Sequence, residues 1–121
     1  MEINVLTERI IGCAYAVHKV LGSGFLEKVY ERALEIELKR RGCAVVSQMP
    51  LPVYYKGEEI GVYCPDLLVD NRIIIELKCV QQLNKEHWAQ CINYLKITGK
   101  ELALLMNYQY GKLQIKRIIL S

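Results

Sequence analysis

The chain has no apolar run able to cross a membrane: positions 10–17 are short and end at His18-Lys19, whereas a membrane helix needs roughly 18 apolar residues. It has no C-x-x-C pair, no secretory leader is expected, and its five cysteines, at 13, 43, 64, 79 and 91, are an odd number among apolar neighbours. That pattern excludes a disulfide scaffold and predicts reduced thiols in a cytoplasm. Prolines are scarce, at 50, 52 and 65 only, and no repeat, linker or biased tract divides the 121 residues, so a single domain over 1–121 is expected. Excess charge is missing too, since 16 basic against 13 acidic residues leave only +3, too mild to mark a nucleic-acid binder by composition. What is present is apolar material, at 52%, which excludes a disordered chain. At this length folding hides on the order of two-thirds of the exposed surface, so a core can form without disulfide or metal staples.

The periodicity predicts two opening helices, over 5–20 and 26–41, the first closed by Gly22-Ser23-Gly24 and the second by Gly42. From Cys43 the pattern changes to short β-branched or aromatic runs at 45–46, 53–55, 60–63, 66–69 and 72–80, read as a meander of strands. Ile73-Ile74-Ile75 alternates too little for a strand with one wet face and should lie centrally, covered on both sides. A helix with Asn84 as its N-cap and Gly99 as its stop follows, then strands over 101–107 and 112–120. The order ααβββββαββ makes an α/β (α+β) fold with a central sheet covered by helices.

Side chains alternate along a strand, so Ile74, Glu76 and Lys78 share one face of the central strand. An intrastrand ion pair is the ordinary reading, but buried charges are costly without good partners. Asp70-Asn71 turns the chain so that Asp66, behind Pro65, comes back towards Glu76 and Lys78. Two converging carboxylates make a hard-oxygen site suited to Mg²⁺ or Mn²⁺. A lysine beside them can orient or activate a water, which supplies the parts for metal-assisted hydrolysis of a phosphodiester. Glu27 falls within about 20° of Leu34 and Leu38 on the second helix and is expected to face inward, with the helix macrodipole as the plainer explanation for an acid there. On the later helix Gln90 and Tyr94 lie one turn apart beside His87. His87 and His18 are more ordinarily packing or capping residues than site members.

Pro65-Asp66, Glu76-Leu77-Lys78 and the helix run Gln90-Cys91-Ile92-Asn93-Tyr94 resemble the PD-(D/E)XK nuclease superfamily, in the RecB-like branch that carries a Q-x-x-x-Y helix. Gly24-Phe25-Leu26-Glu27-Lys28-Val29-Tyr30 is similar to the G-x-x-E-x-x-Y signature of the small bacterial GxxExxY proteins, which are grouped with that superfamily. The resemblance implies a restriction-endonuclease-like αβββαβ core with a central mixed sheet flanked by helices. It implies that Asp66, Glu76 and Glu27 hold Mg²⁺ or Mn²⁺, that Lys78 serves the attacking water, and that Gln90, Tyr94 and Tyr30 support the site. DNA would be the substrate, and by analogy of fold two copies pair to handle two strands.

The alternative is a catalytically silent nuclease fold that binds nucleic acid or a protein. An iron–sulfur role is set aside, because the five cysteines have no cluster spacing. All the net charge falls within residues 100–121. Lys112, Lys116 and Arg117, with Tyr108 and Tyr110 nearby, are accordingly expected to form an edge contacting the nucleic-acid backbone, against an ordinary solvated strand face as the competing reading.

Overall fold

The computed structural model describes residues 1–120, without the side chain of Tyr110. Helix α1 spans Ile3–Leu21, α2 Glu27–Arg40 and α3 Lys85–Thr98. The strands are β1 Val45–Ser47, β2 Leu51–Tyr55, β3 Glu58–Tyr63, β4 Leu67–Val69, β5 Ile73–Lys78, β6 Leu102–Tyr110 and β7 Lys112–Ile118. No helix among the described residues is long and apolar enough to span a membrane.

Five strands form one sheet in the order β1-β4-β5-β6-β7, with β5 and β6 parallel and the other neighbours antiparallel. This is a mixed sheet with helices on both faces, a restriction-endonuclease-like arrangement. Strand β5 is central, and Ile73, Ile74 and Ile75 are each at most 1% exposed. A run without alternation is what burial of both faces demands.

One expectation changes. The strands do not form a continuous meander, because β2 and β3 leave the main sheet as a separate antiparallel ribbon. Pro50 and Pro52 bracket Leu51, and a proline lacks the N–H that a central strand must give to its neighbour, so this segment suits a ribbon edge. Leu51 alone anchors deeply, packing with the apolar residues beneath α3.

Two apolar layers hold the sheet. On one face Leu6, Ile10, Cys13 and Val17 of α1, and Tyr30, Leu34 and Leu38 of α2, cover Ile73, Ile75, Leu77, Leu104 and Met106. On the other, Cys91, Tyr94 and Leu95 of α3 cover Leu68, Ile74, Leu105 and Ile118. Fully buried side chains of this size contribute about 1.5–3 kcal/mol each from removal of apolar surface, so the two helical layers dominate the fold's stability.

Two local devices set the register that the site depends on. Asp70 and Asn71 both take left-handed backbone angles, φ 51° and 56°, inside the tight turn that the Arg72 N–H closes by donating to Val69 O at 2.9 Å. The turn pairs Leu67 with Ile75 and Val69 with Ile73. Helix α3 starts where Asn84 accepts hydrogen bonds from the N–H groups of Glu86 and His87, and ends at Gly99, whose φ of 71° is the left-handed cap glycine provides.

Candidate active site

One step beyond the β4–β5 register brings Asp66 opposite Glu76, and the Asp66 N–H donates to Glu76 Oε1 at 3.3 Å. Asp66 Oδ2 accepts from the Leu77 N–H at 2.8 Å. Lys78, two residues along the same face, sets its Nζ 3.4 Å from Glu76 Oε2. Glu76 is 5% exposed and Asp66 is half-buried, so both carboxyls are poorly hydrated at the mouth of the sheet.

A third acid joins them from α2. Glu31, 7% exposed, accepts hydrogen bonds from Ser47 Oγ at 3.2 Å and from the Gln48 amide nitrogen at 3.0 Å to each of its oxygens. Lys28 Nζ stands 3.5 Å from it, from an exposed position. The same Gln48 nitrogen reaches Asp66 Oδ1 at 3.2 Å. Tyr94, buried on α3, lies beside the Glu76 carboxylate, whose charge it feels.

The electrostatics follow from this crowding. Burial pushes Glu76 up to about 7, with the charge of Asp66 adding to the effect and Lys78 opposing it. Asp66 is raised as well, first by burial and then by the neighbouring Glu31 carboxylate, against the hydrogen bond from Leu77. Burial and the charge of Glu76 push Cys91 up to about 12 and hold Tyr94 above the ordinary tyrosine range. Buried acids that resist ionising side by side are a place where a cation would be welcome.

The donor set is all hard carboxylate oxygen, which fits Mg²⁺ or Mn²⁺ and no soft metal. Among the described residues no three His, Cys, Asp or Glu side chains converge as a ready-made metal cage. Magnesium commonly uses only one or two carboxylates and keeps its remaining positions for water and phosphate, so Asp66 and Glu76 suffice as protein ligands.

Beside the carboxylates a cleft of about 560 Å³ opens between α3 and the β2–β3 ribbon, lined by Tyr63, Cys64, His87, Gln90, Asn93 and Tyr94 among others. Tyr94 is common to the wall of this cleft and to the surroundings of Glu76.

A family model of the PD-(D/E)XK nuclease superfamily matches residues 4–118, which is nearly all of the chain. The chain belongs to the PD-(D/E)XK nuclease superfamily. Among solved structures, the crystal structure of SSO0001 is similar in fold, with a TM-score of 0.58 at 20% identity over 96% of this chain. The chain spans 59% of the length of that protein. No curated protein matches it.

Within this PD-(D/E)XK chain the sequence-predicted residues divide. Asp66, Glu76 and Lys78 come together, and Tyr94 joins them. Gln90 lines the adjoining cleft, half-buried. Glu27 does not turn into the interior: it is exposed in the first turn of α2, where its charge is felt at Cys79. Glu31, one turn further on, is the acid that lies beside Asp66. The helical angle alone could not separate two acids four residues apart on one face.

Tyr30 sits in the core and works on the fold. Its hydroxyl donates to Gly22 O at 2.6 Å and accepts from the Phe25 N–H at 3.3 Å, and its ring stacks on Tyr108 at 4.5 Å. His87 closes a capping box, its Nδ1 accepting from the Asn84 N–H at 3.1 Å, and His18 packs near Tyr108.

The expected basic edge is also divided. Lys112 and Lys116 lie on the face of β7 that carries Ile118 towards α3, whereas Arg117 points to the α1 side, 3.6 Å from Glu8. Strand alternation makes this unavoidable for neighbouring residues. Tyr108 is fully buried and donates to Ala14 O at 3.1 Å, so it is not available to nucleic acid. The Tyr110 side chain lies outside the described residues.

Proposed function

We propose that the protein is a metal-dependent nuclease that hydrolyses phosphodiester bonds of DNA, of the RecB-like branch and the GxxExxY group, with its catalytic domain over 1–121 and its place of action in the cytoplasm. The observation that carries this reading is the convergence of Asp66 and Glu76 across one hairpin with Lys78 Nζ at 3.4 Å from Glu76. All five cysteines are free thiols, which suits a reducing compartment.

In this reading Asp66 and Glu76 hold Mg²⁺ or Mn²⁺, and Glu31 adds negative charge behind Asp66. The bound cation would neutralise the anionic diester and lower the pKa of a coordinated water. Lys78, beside Glu76, would orient the attacking water and steady charge gathering on the phosphate oxygens. Tyr94 holds Glu76 in place through its hydroxyl, and Gln90 lines the approach along the cleft. Leu77 N–H keeps Asp66 Oδ2 from turning away. Lys112 and Lys116 offer cations to the DNA backbone on the α3 side. Two copies acting together would serve the two strands of a duplex.

The test is cleavage of single- and double-stranded DNA by the purified protein with Mg²⁺ or Mn²⁺. Glu76→Ala and Lys78→Ala should each abolish it, and activity that survives both substitutions would sink the reading. The second reading is a silent nuclease fold that binds nucleic acid or a protein. Nucleic-acid binding with no cleavage in any metal would support that reading instead.

A further inference from the structure

Gln48 occupies an unusual place beside the acidic cluster. Its φ of 53° is left-handed, a conformation that residues other than glycine rarely adopt. Lys56, Asp70 and Asn71 share that conformation but sit in tight hairpin turns. Gln48 instead follows the end of β1, where the twist swings its side chain between α2 and β4.

Its main chain and its side chain then grip the same partner. The Gln48 N–H donates to Asp66 O at 3.0 Å, and the side-chain nitrogen reaches Asp66 Oδ1 at 3.2 Å and both Glu31 oxygens at 3.0 Å. The amide's direction is set from behind, because Cys64 Sγ lies 3.5 Å from Gln48 Oε1 and donates to it. Two amide hydrogens thus serve two carboxylates.

We propose that Gln48 is the positioning residue of the site, a neutral bridge that ties Asp66 to the Glu31 carboxylate behind it and so holds Asp66 ready, with Glu76, for a divalent cation. A lysine or arginine in this place would also satisfy the two acids, but it would cancel the charge that attracts the cation. An apolar residue would leave two neighbouring carboxylates unsupported, and they would rotate apart. Only a neutral donor both orders the oxygens and leaves their charge available. This inference rests on the metal-dependent reading of the site.

Calorimetric titration of the full chain with Mn²⁺, alongside its thermal melting, tests the proposal. Gln48→Leu should weaken Mn²⁺ binding about tenfold, the scale of a lost hydrogen bond to a charged group. Gln48→Lys should melt close to the wild type and yet weaken Mn²⁺ at least as much, a split that a merely structural residue would not produce. Wild-type Mn²⁺ affinity in either variant overturns the proposal while leaving the nuclease reading standing.

A second readout needs no metal. The Gln48 side-chain amide protons should be shifted and protected from exchange in the wild type, and Glu31→Gln should move them. Random-coil positions for those protons overturn the bridge. They decide it alone if Gln48→Leu does not fold or if the wild type binds no Mn²⁺, and that last result overturns the metal reading separately.

Discussion

Glu76 makes the metal-free protein sensitive to pH in a direction opposite to that of an ordinary salt-bridged acid. Its carboxyl titrates near 7 in the folded chain against 4.5 for a free glutamate, because burial penalises its charge. Between those values the folded chain holds a proton that the unfolded chain has already released, so stability falls as pH rises through the window. The protonated side chain's contribution is complete below 4.5 and gone above about 7. The difference corresponds to about 3 kcal/mol, and for a chain of this size to a fall in melting temperature of about 10 °C.

Glu76→Gln isolates the effect. Glutamine keeps an oxygen for the Asp66 N–H and cannot ionise. Thermal melts of both proteins in chelator, from pH 4.5 to 8, should show the wild type losing stability relative to Glu76→Gln by about that amount. Saturating Mg²⁺ at pH 8 should recover the loss in the wild type only, since cation binding takes over the stabilising role of the proton. A constant difference between the two proteins across pH would refute the claim that burial costs the Glu76 carboxylate more than its partners return.

Neutralising Lys112 and Lys116 should weaken DNA binding and reduce the slope of log affinity against log salt by about two, whereas Arg117→Ala should leave that slope nearly unchanged; equilibrium anisotropy at several salt concentrations reads both. Tyr30→Phe removes a hydroxyl that ties Gly22 to Phe25 and should cost about 1–2 kcal/mol in urea unfolding, with cleavage per folded molecule preserved. Leu34→Ala, deep under α2, should cost about 2–5 kcal/mol by the same measurement.

Much of this was legible from local chemistry. The hairpin that joins Asp66 to Glu76 was readable because Asp70-Asn71 tolerates left-handed backbone, and β5 because an isoleucine triplet admits only two covered faces. Charge alone does not divide the basic tail, whereas its period of two sends Lys116 and Arg117 to opposite faces. Glu31 was hidden, since it shares a helix face with Glu27 and only the position of the sheet edge decides between them. Gln48 gave no local signal at all: its part depends on a backbone twist and on partners 17 and 18 residues away. The ribbon of β2 and β3 was seen as strands, but its departure from the main sheet is a tertiary choice that proline only permits.

The most direct test is a crystal of the protein soaked in Mn²⁺ and measured for anomalous scattering. The account predicts a peak held between the Asp66 and Glu76 carboxylates, with Lys78 beside it. No peak there at millimolar Mn²⁺, or a peak held by other residues alone, would contradict it.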